Sequence, residues 1–355
     1  MRLFIMFLAV GFLLTGCGSG GSDISNQVRR GERPHLAKVE VAEVSRVKMT
    51  RARSAVMAGT SAFVCQVLDG MTLVDLTDPA QVRITRRFAS EEIQPLDAVL
   101  DGNLLFIADR FRGLVIWDVS TADKPTSLSA LSLPGIATGV TLSQTSDGRR
   151  LAAMACGGAG LQMVDITDLR APRLLGGFTR GIDYARKAGF FDGAVFLSDN
   201  ADGGMKLLDT TRPAEPTLIA QWNHPGFCEM VRSDGANVET AWRTGGVALY
   251  SRAGKGGWGQ QPLYPVERSV TAVRSRSYAH DVLVLKPREP KAGDRNLMAV
   301  ADGGAGVAVY DISKNRLPVL VGAAQPGGDA TGLSQYGDLL LACCWDAGLV
   351  VLSVK

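Results

Sequence analysis

The chain has 355 residues, of which 46% are apolar and 21% charged, with a formal net charge of +3 at pH 7. This is ample apolar material for a packed core. The charge is small and spread along the chain, which removes any electrostatic basis for nucleic-acid binding.

Met1–Thr15 carries one early cation, Arg2, followed by an apolar run. The run is too short to span a bilayer and fits a signal peptide. It ends in Leu14-Thr15-Gly16-Cys17, which resembles the lipobox of bacterial lipoproteins, where small residues admit the peptidase to the bond before the cysteine. The resemblance implies a lipoprotein signal peptide over residues 1–16 and acylation of Cys17, with palmitate among the acyl chains. In a Gram-negative cell that family reserves Asp at the next position for inner-membrane retention, so Gly18 implies the outer membrane. A plain secretory signal is the alternative. Ser19–Arg33 is small, polar and basic, so residues 17–33 read as an acylated cysteine and flexible tether. No later run reaches about 18 apolar residues.

From residue 34 to residue 355 one unit recurs. Gly70, Gly113, Gly160, Gly204, Gly246, Gly306 and Gly348 each open a short apolar strand, and five residues on stand Asp75, Asp118, Asp165, Asp209, Ser251, Asp311 and Ser353. The period is about 40–45 residues, stretched between Gly246 and Gly306, with no helical pattern between, and it points to propeller blades of four strands. The second unit predicts strands at Leu96–Leu100, Leu104–Ala108, Gly113–Trp117 and Pro125–Leu131, with an Asp101-Gly102-Asn103 hairpin turn. After the third strand, Asp118 and Ser120 are placed to bond nearby backbone, and Pro125 sets the dihedral on leaving. The even repeat overrides the two domains that length alone would allow.

The stretches "GLVIWDVSTADKP", "GLQMVDITDLRAP", "GMKLLDTTRPAEP" and "GVAVYDISKNRLP" resemble the LVIVD-repeat family of bacterial β-propellers. The resemblance covers roughly residues 35–355. The unit at Gly246 departs, reading "GVALYSRAGKGG" without the Asp turn. Membership implies an exported propeller and no catalytic residues, because the repeat signature is a folding signature.

The last unit stops after its third strand, while the first segment begins Pro34-His35-Leu36-Ala37, like the outer strand at Pro125. The predicted fold is therefore all-β, a seven-bladed β-propeller closed by an N-terminal strand that completes the C-terminal blade. His35–Val44 is expected to pair with Gly348–Val354, hiding two open edges. Cys65, Cys156, Cys228, Cys343 and Cys344 make an odd set, and Cys65 and Cys343 fall at one repeat position in neighbouring sheets about 10 Å apart. They are expected as buried thiols packing as small hydrophobes.

Histidine is scarce, and no H-E-x-x-H, C-x-x-C or G-x-S-x-G occurs, so zinc-protease, dithiol and serine-hydrolase chemistry lack their residues. Gly254-Lys255-Gly256-Gly257-Trp258-Gly259 fits G-x-G-x-x-G, but Pro262 and Pro265 follow where a dinucleotide site needs a helix. The sequence points to no cofactor and no metal. What remains is positional. The first strand of each blade lines the channel, which places Arg53, Asp97, Thr138, Arg186, Glu229, His280, Asp281 and Thr331 near its mouth; Trp242 and Trp345 end second strands on the same face, where they suit a protein-binding rim or cap the blade cores. Two function classes follow. One is a non-enzymatic cell-envelope lipoprotein, held to the membrane through Cys17, whose propeller is a platform for a protein partner. The other is a hydrolase or lyase at the channel mouth using His280 with Asp97, Glu229 or Asp281. Extra length at Arg252–Gln261 and Lys286–Arg295 marks loops where function is often carried.

Cys17→Ser removes the only thiol at the cleavage site and is expected to abolish palmitate incorporation in metabolic labelling. Undiminished label in the variant contradicts the lipoprotein reading.

Overall fold

The glycine-led runs form the third strands of antiparallel sheets in the computed structural model, which describes residues 38–191, 193–200, 204–223, 226–233, 237–251, 277–291, 295–313 and 318–355. Among the described residues every regular element is a strand. In blade 2 the inner strand is Pro95–Asp101, the second Leu104–Asp109, the third Gly113–Asp118 and the outer Thr126–Leu131, paired in that order. Each agrees with its sequence-predicted span to within one residue at either end. Seven such blades stand in a ring, a β-propeller. The departing unit at Gly246 is blade 5, with strands Met230–Ser233, Asn237–Ala241 and Val247–Ser251 among the described residues. The first insert, Arg252–Gln261, with its Gly254–Gly259 motif, lies outside the described residues, as do Cys17 and the tether.

Consecutive apolar residues are needed because each strand has a sheet on both sides. Alternate side chains of a strand point to opposite faces. Leu105 and Ile107 join Phe63 and Leu73 between blades 1 and 2, while Phe106 and Ala108 join Ala152 and Met154 between blades 2 and 3. The Phe88 and Trp117 rings, 5.2 Å apart, bind blade 1 to blade 2. Each fully buried side chain of this size contributes about 1.5–3 kcal/mol, so the blades hold one another by their faces. The five internal cysteines belong to these layers: all are free and buried. Burial pushes the Cys65 and Cys156 thiols up to about 12, far from the thiolate form that reacts.

The Asp turns form as the spacing requires. The Asp118 carboxylate accepts the Ser120 amide at 2.8 Å, and Asp165 accepts the Thr167 amide at the same distance. Asp75, Asp209 and Asp311 repeat the bond. These donors lie at or near the surface rather than buried between strands, so the turns fix local geometry at modest energy. At Asp75 the Thr77 hydroxyl and amide, with Arg83, hold the carboxyl down at about 2. A bulge recurs between third and outer strands, at Leu73/Val74, Ile116/Trp117, Met163/Val164, Leu207/Leu208 and Val309/Tyr310. Such an extra residue increases the local twist of the outer strand.

Ring closure joins the two ends of the described chain, with a strand that starts later than the expected His35–Val44. The strand that completes blade 7 is Val41–Val47, antiparallel to Gly348–Val354, with Ala42 opposite Ser353. The comparison with Pro125 starts that strand at His35 instead, as His35–Val44. In the other blades the proline marks the exit from a turn that connects third and outer strands. Here no such connection exists, so Pro34 carries no register information, and His35 lies outside the described residues. Glu40 and Lys355 exchange backbone bonds of 2.8 and 3.0 Å, and the Val39 amide reaches the Val321 carbonyl of blade 6 at 2.9 Å.

Lys286–Arg295, the other insert, joins the inner and second strands of blade 6; its residues 292–294 lie outside the described residues. It is braced on blade 7: the Lys286 amide donates to Gln335 Oε1 at 3.0 Å, and the Arg288 amide to Asp338 Oδ1 at 3.0 Å.

Deleting Ser19–Gly31 is expected to leave thermal unfolding unchanged, whereas extending the deletion through Val47 exposes the Gly348–Val354 edge. The longer truncation is expected to lower the unfolding midpoint and to scatter light as it aggregates. Identical behaviour of the two contradicts this closure.

Candidate functional site

The seven inner strands, Ser54–Ala58, Pro95–Asp101, Gly139–Gln144, Ala185–Phe191, Met230–Ser233, Asp281–Val284 and Ala330–Tyr336, surround a central channel. Their first residues meet on one face. There the turn between second and third strands of one blade bridges to the next inner strand, as in Gly157 with Ala185, Arg243 with Ala279 and Gly303 with Ala330. A cavity of about 260 Å³ opens on this face, and a second of about 260 Å³ lies further along the inner strands.

The sequence-predicted residues divide into two groups. Four tie blades together. Thr138 donates to the carbonyls of Ala155, at 3.0 Å, and Ala185, at 2.8 Å, linking blades 3 and 4. Thr331 donates to the carbonyl of Ala52 at 2.9 Å, linking blades 7 and 1. Asp97 accepts the Val140 amide at 3.2 Å and pairs with Lys187. Asp281 accepts the amides of Val282 and Leu333, both at 2.8 Å, and pairs with Arg232 at 3.2 Å. An inner strand is a sheet edge with unpaired amides, and the two carboxylates cover edge amides that would otherwise be buried unpaired, while the two hydroxyls add bonds between blades.

The other four, Arg53, Arg186, Glu229 and His280, converge at the mouth. Arg186 is the extra residue of a bulge between Ala185 and Lys187. The bulge turns both Arg186 and Lys187 toward the channel, although neighbours on a regular strand face opposite ways. The chain entering this strand is held by buried Asp199, which accepts the Tyr184 amide at 2.8 Å and pairs with Lys206 at 3.1 Å. Glu229 is buried and receives two guanidinium groups, those of Arg186 and, at 3.1 Å, Arg243. Burial pushes the Glu229 carboxyl up, but Arg186, Arg243 and Arg53 together hold it below the usual carboxylate range. His280 is pushed down by burial; Glu229 pulls it up while Arg243 and Arg186 push it down. Its ring makes no hydrogen bond or ion pair among the described residues. Asp97, Glu229 and Asp281 are each engaged by other partners, so none forms a couple with His280.

Lys187, Arg232 and Arg243 escape sequence reading. The first depends on a bulge. Arg243 sits in a turn at φ +45°, where blades 3 and 6 carry Gly157 and Gly303; an arginine there bears strain that glycine would avoid. The two tryptophans also separate. Trp242 lies opposite Gly246 in the ladder, is buried in the core between blades 4 and 5, and donates its indole N–H to Thr240 Oγ1 at 2.7 Å. Trp345 is one position further along, its amide bonded to the Asp329 carbonyl, and it lines the mouth. One residue of offset sends the side chain to the other face. Among the described residues, no three of His, Cys, Asp and Glu cluster closely enough to hold a metal ion.

The LVIVD repeat matches residues 97–132, which run from the inner to the outer strand of blade 2. No curated protein matches the chain. The crystal structure of the computationally designed Ika8 protein is similar over 90% of this chain and 100% of its own, with a TM-score of 0.56 and 12% identity. That likeness bears on the fold alone.

Proposed function

We propose that this protein is a non-enzymatic, lipid-anchored component of the bacterial cell envelope, attached through Cys17 at the outer membrane, whose propeller binds a protein partner through the face on which the channel opens. One observation carries the choice of face. Phe111 (69% exposed), Tyr278 (51%), Leu68 (44%) and Phe227 (41%) all sit in the turns and crossings of that face. Arg110 lies over the Phe111 ring at 5.3 Å and Arg243 over Phe227 at 5.6 Å. Exposed aromatics and arginines of this kind are the side chains that dominate protein-binding energetics. The rigid ring holds them at fixed separations, which limits the entropy lost on docking.

A channel-mouth hydrolase or lyase finds less support. A general base needs hydrogen-bond reach and an orienting partner, and His280 has neither among the described residues. The insert at Lys286–Arg295 lies on the opposite face, where it braces two blades.

Affinity capture after cross-linking in native membranes tests this reading. Phe111→Ala with Tyr278→Ala is expected to lose the partner captured by the unaltered protein. His280→Ala is expected to retain it, as is Leu218→Ala with Leu320→Ala, which removes exposed side chains of outer strands. Loss in the outer-strand control and retention in the Phe111/Tyr278 pair contradicts the proposal.

A further inference from the structure

Three arginines from separate blades meet around one carboxylate at the channel mouth. Glu229 is the partner of both Arg186 and Arg243. Arg53 lines the same cavity and makes no ion pair or side-chain hydrogen bond among the described residues. Asp329, the other carboxylate at the rim, is exposed and pairs with none of them. Further along the channel the balance is different: Lys187 is neutralised by Asp97 and Arg232 by Asp281. The surplus of positive charge is therefore confined to the mouth.

We propose that the channel mouth binds a small oxyanion, a carboxylate or phosphate group, held by the guanidinium of Arg53 together with Arg186 and Arg243. The reading goes beyond the docking face and does not depend on it. Arg186 Nε is buried and has no partner among the described residues, a donor left open where buried donors are almost always bonded. The backbone of Arg53 is locked, its amide bonded to the Cys65 carbonyl at 2.9 Å and its carbonyl packed on Gly332, so its side chain is presented from a fixed base. Burial and the neighbouring Arg186 bring the Arg53 guanidinium down to about 10, against the pull of Glu229 and Asp97; a bound anion relieves that strain. Arg243 occupies, at φ +45°, a turn position that blades 3 and 6 give to glycine, and its guanidinium lies beside Glu229 and within the cavity lining. A planar guanidinium matches two oxygens of a carboxylate or phosphate with two parallel N–H bonds. Met230 and Trp345 complete the lining with apolar surface, which strengthens charge pairing by excluding water. A cavity of about 260 Å³ takes a small molecule or a single protruding acidic group.

Thermal unfolding of the full chain is measured with inorganic phosphate and, separately, with succinate, each against sodium chloride at equal ionic strength. The midpoint is expected to rise and saturate with at least one anion, with a dissociation constant of about 1 mM or tighter. Response to phosphate alone assigns a phosphate group, and response to succinate alone a carboxylate. Arg53→Gln is expected to abolish the rise and to raise the midpoint without anion, because it removes a half-buried charge that forms no ion pair among the described residues. Should Arg53→Gln fold poorly, Arg53→Lys keeps the charge and loses the fork, and is expected to weaken binding about tenfold. No response to either anion beyond the salt control overturns the proposal. So does an undiminished response in the Arg53 variant.

Discussion

At Gly113 the third strand of blade 2 begins with φ +78°, and a Cβ there would lie 2.3 Å from the carbonyl oxygen of Leu131 on the outer strand. Only glycine meets both conditions, since other residues are strained at that φ and no side chain fits that gap. The same contact recurs at Gly70, Gly160, Gly204, Gly306 and Gly348, at 2.0–2.3 Å. The glycine turns the chain out of the second strand and lets the outer strand close on the third. With that junction fixed, the apolar run that follows begins in the right phase, and its alternate residues reach the two neighbouring blades. The Asp turn five residues later ends the same strand. The ring is thus a repeated local geometry, and the packing between blades follows from it.

Closure of the ring brings together side chains far apart in the chain. Arg53, Arg186, Glu229 and Arg243 come from blades 1, 4 and 5, yet they line one cavity because the inner strands all start on one face. The inner strands are also sheet edges, and this sets the roles of the channel residues. Asp97, Asp281, Thr138 and Thr331 satisfy backbone groups of adjoining blades, so their chemistry is used in holding the ring. At the mouth, Arg186 and Arg243 offset buried Glu229, while Arg53 makes no ion pair among the described residues. Burying a carboxylate carries a desolvation cost that paired cations offset; Glu229 has two such partners, and Arg53 lines the same cavity. The fold therefore gathers three arginines of separate blades at the channel mouth.

The glycine phase made the blades legible from residues alone, because the spacing of Gly and Asp reports a backbone requirement directly. It also showed that the chain ends complete one another. It did not give the register of that closure, since Pro34 has no turn to leave and the pairing of Val41–Val47 is decided by the ladder with Gly348–Val354. At the mouth, counting from the start of each inner strand found Arg53, Arg186, Glu229 and His280. Lys187 stayed hidden because a bulge at Arg186 changes its face, and Arg243 because it sits in the turn after the second strand rather than on an inner strand. Trp242 and Trp345 look equivalent in sequence, yet one position of offset puts the first in a core and the second at the channel.

The dependence of the ring on its repeat glycines is tested most directly by comparing the unfolding free energies of Gly113→Ala and Gly102→Ala. Gly102 also has a positive φ, +59°, but nothing lies within 4 Å of a Cβ built there. Alanine at Gly102 bears only the cost of left-handed backbone, about 1–2 kcal/mol. Alanine at Gly113 bears that cost and the clash with Leu131, about 1–3 kcal/mol more. A larger loss at Gly113, by about that margin, is the result expected; equal losses at the two positions would contradict the account.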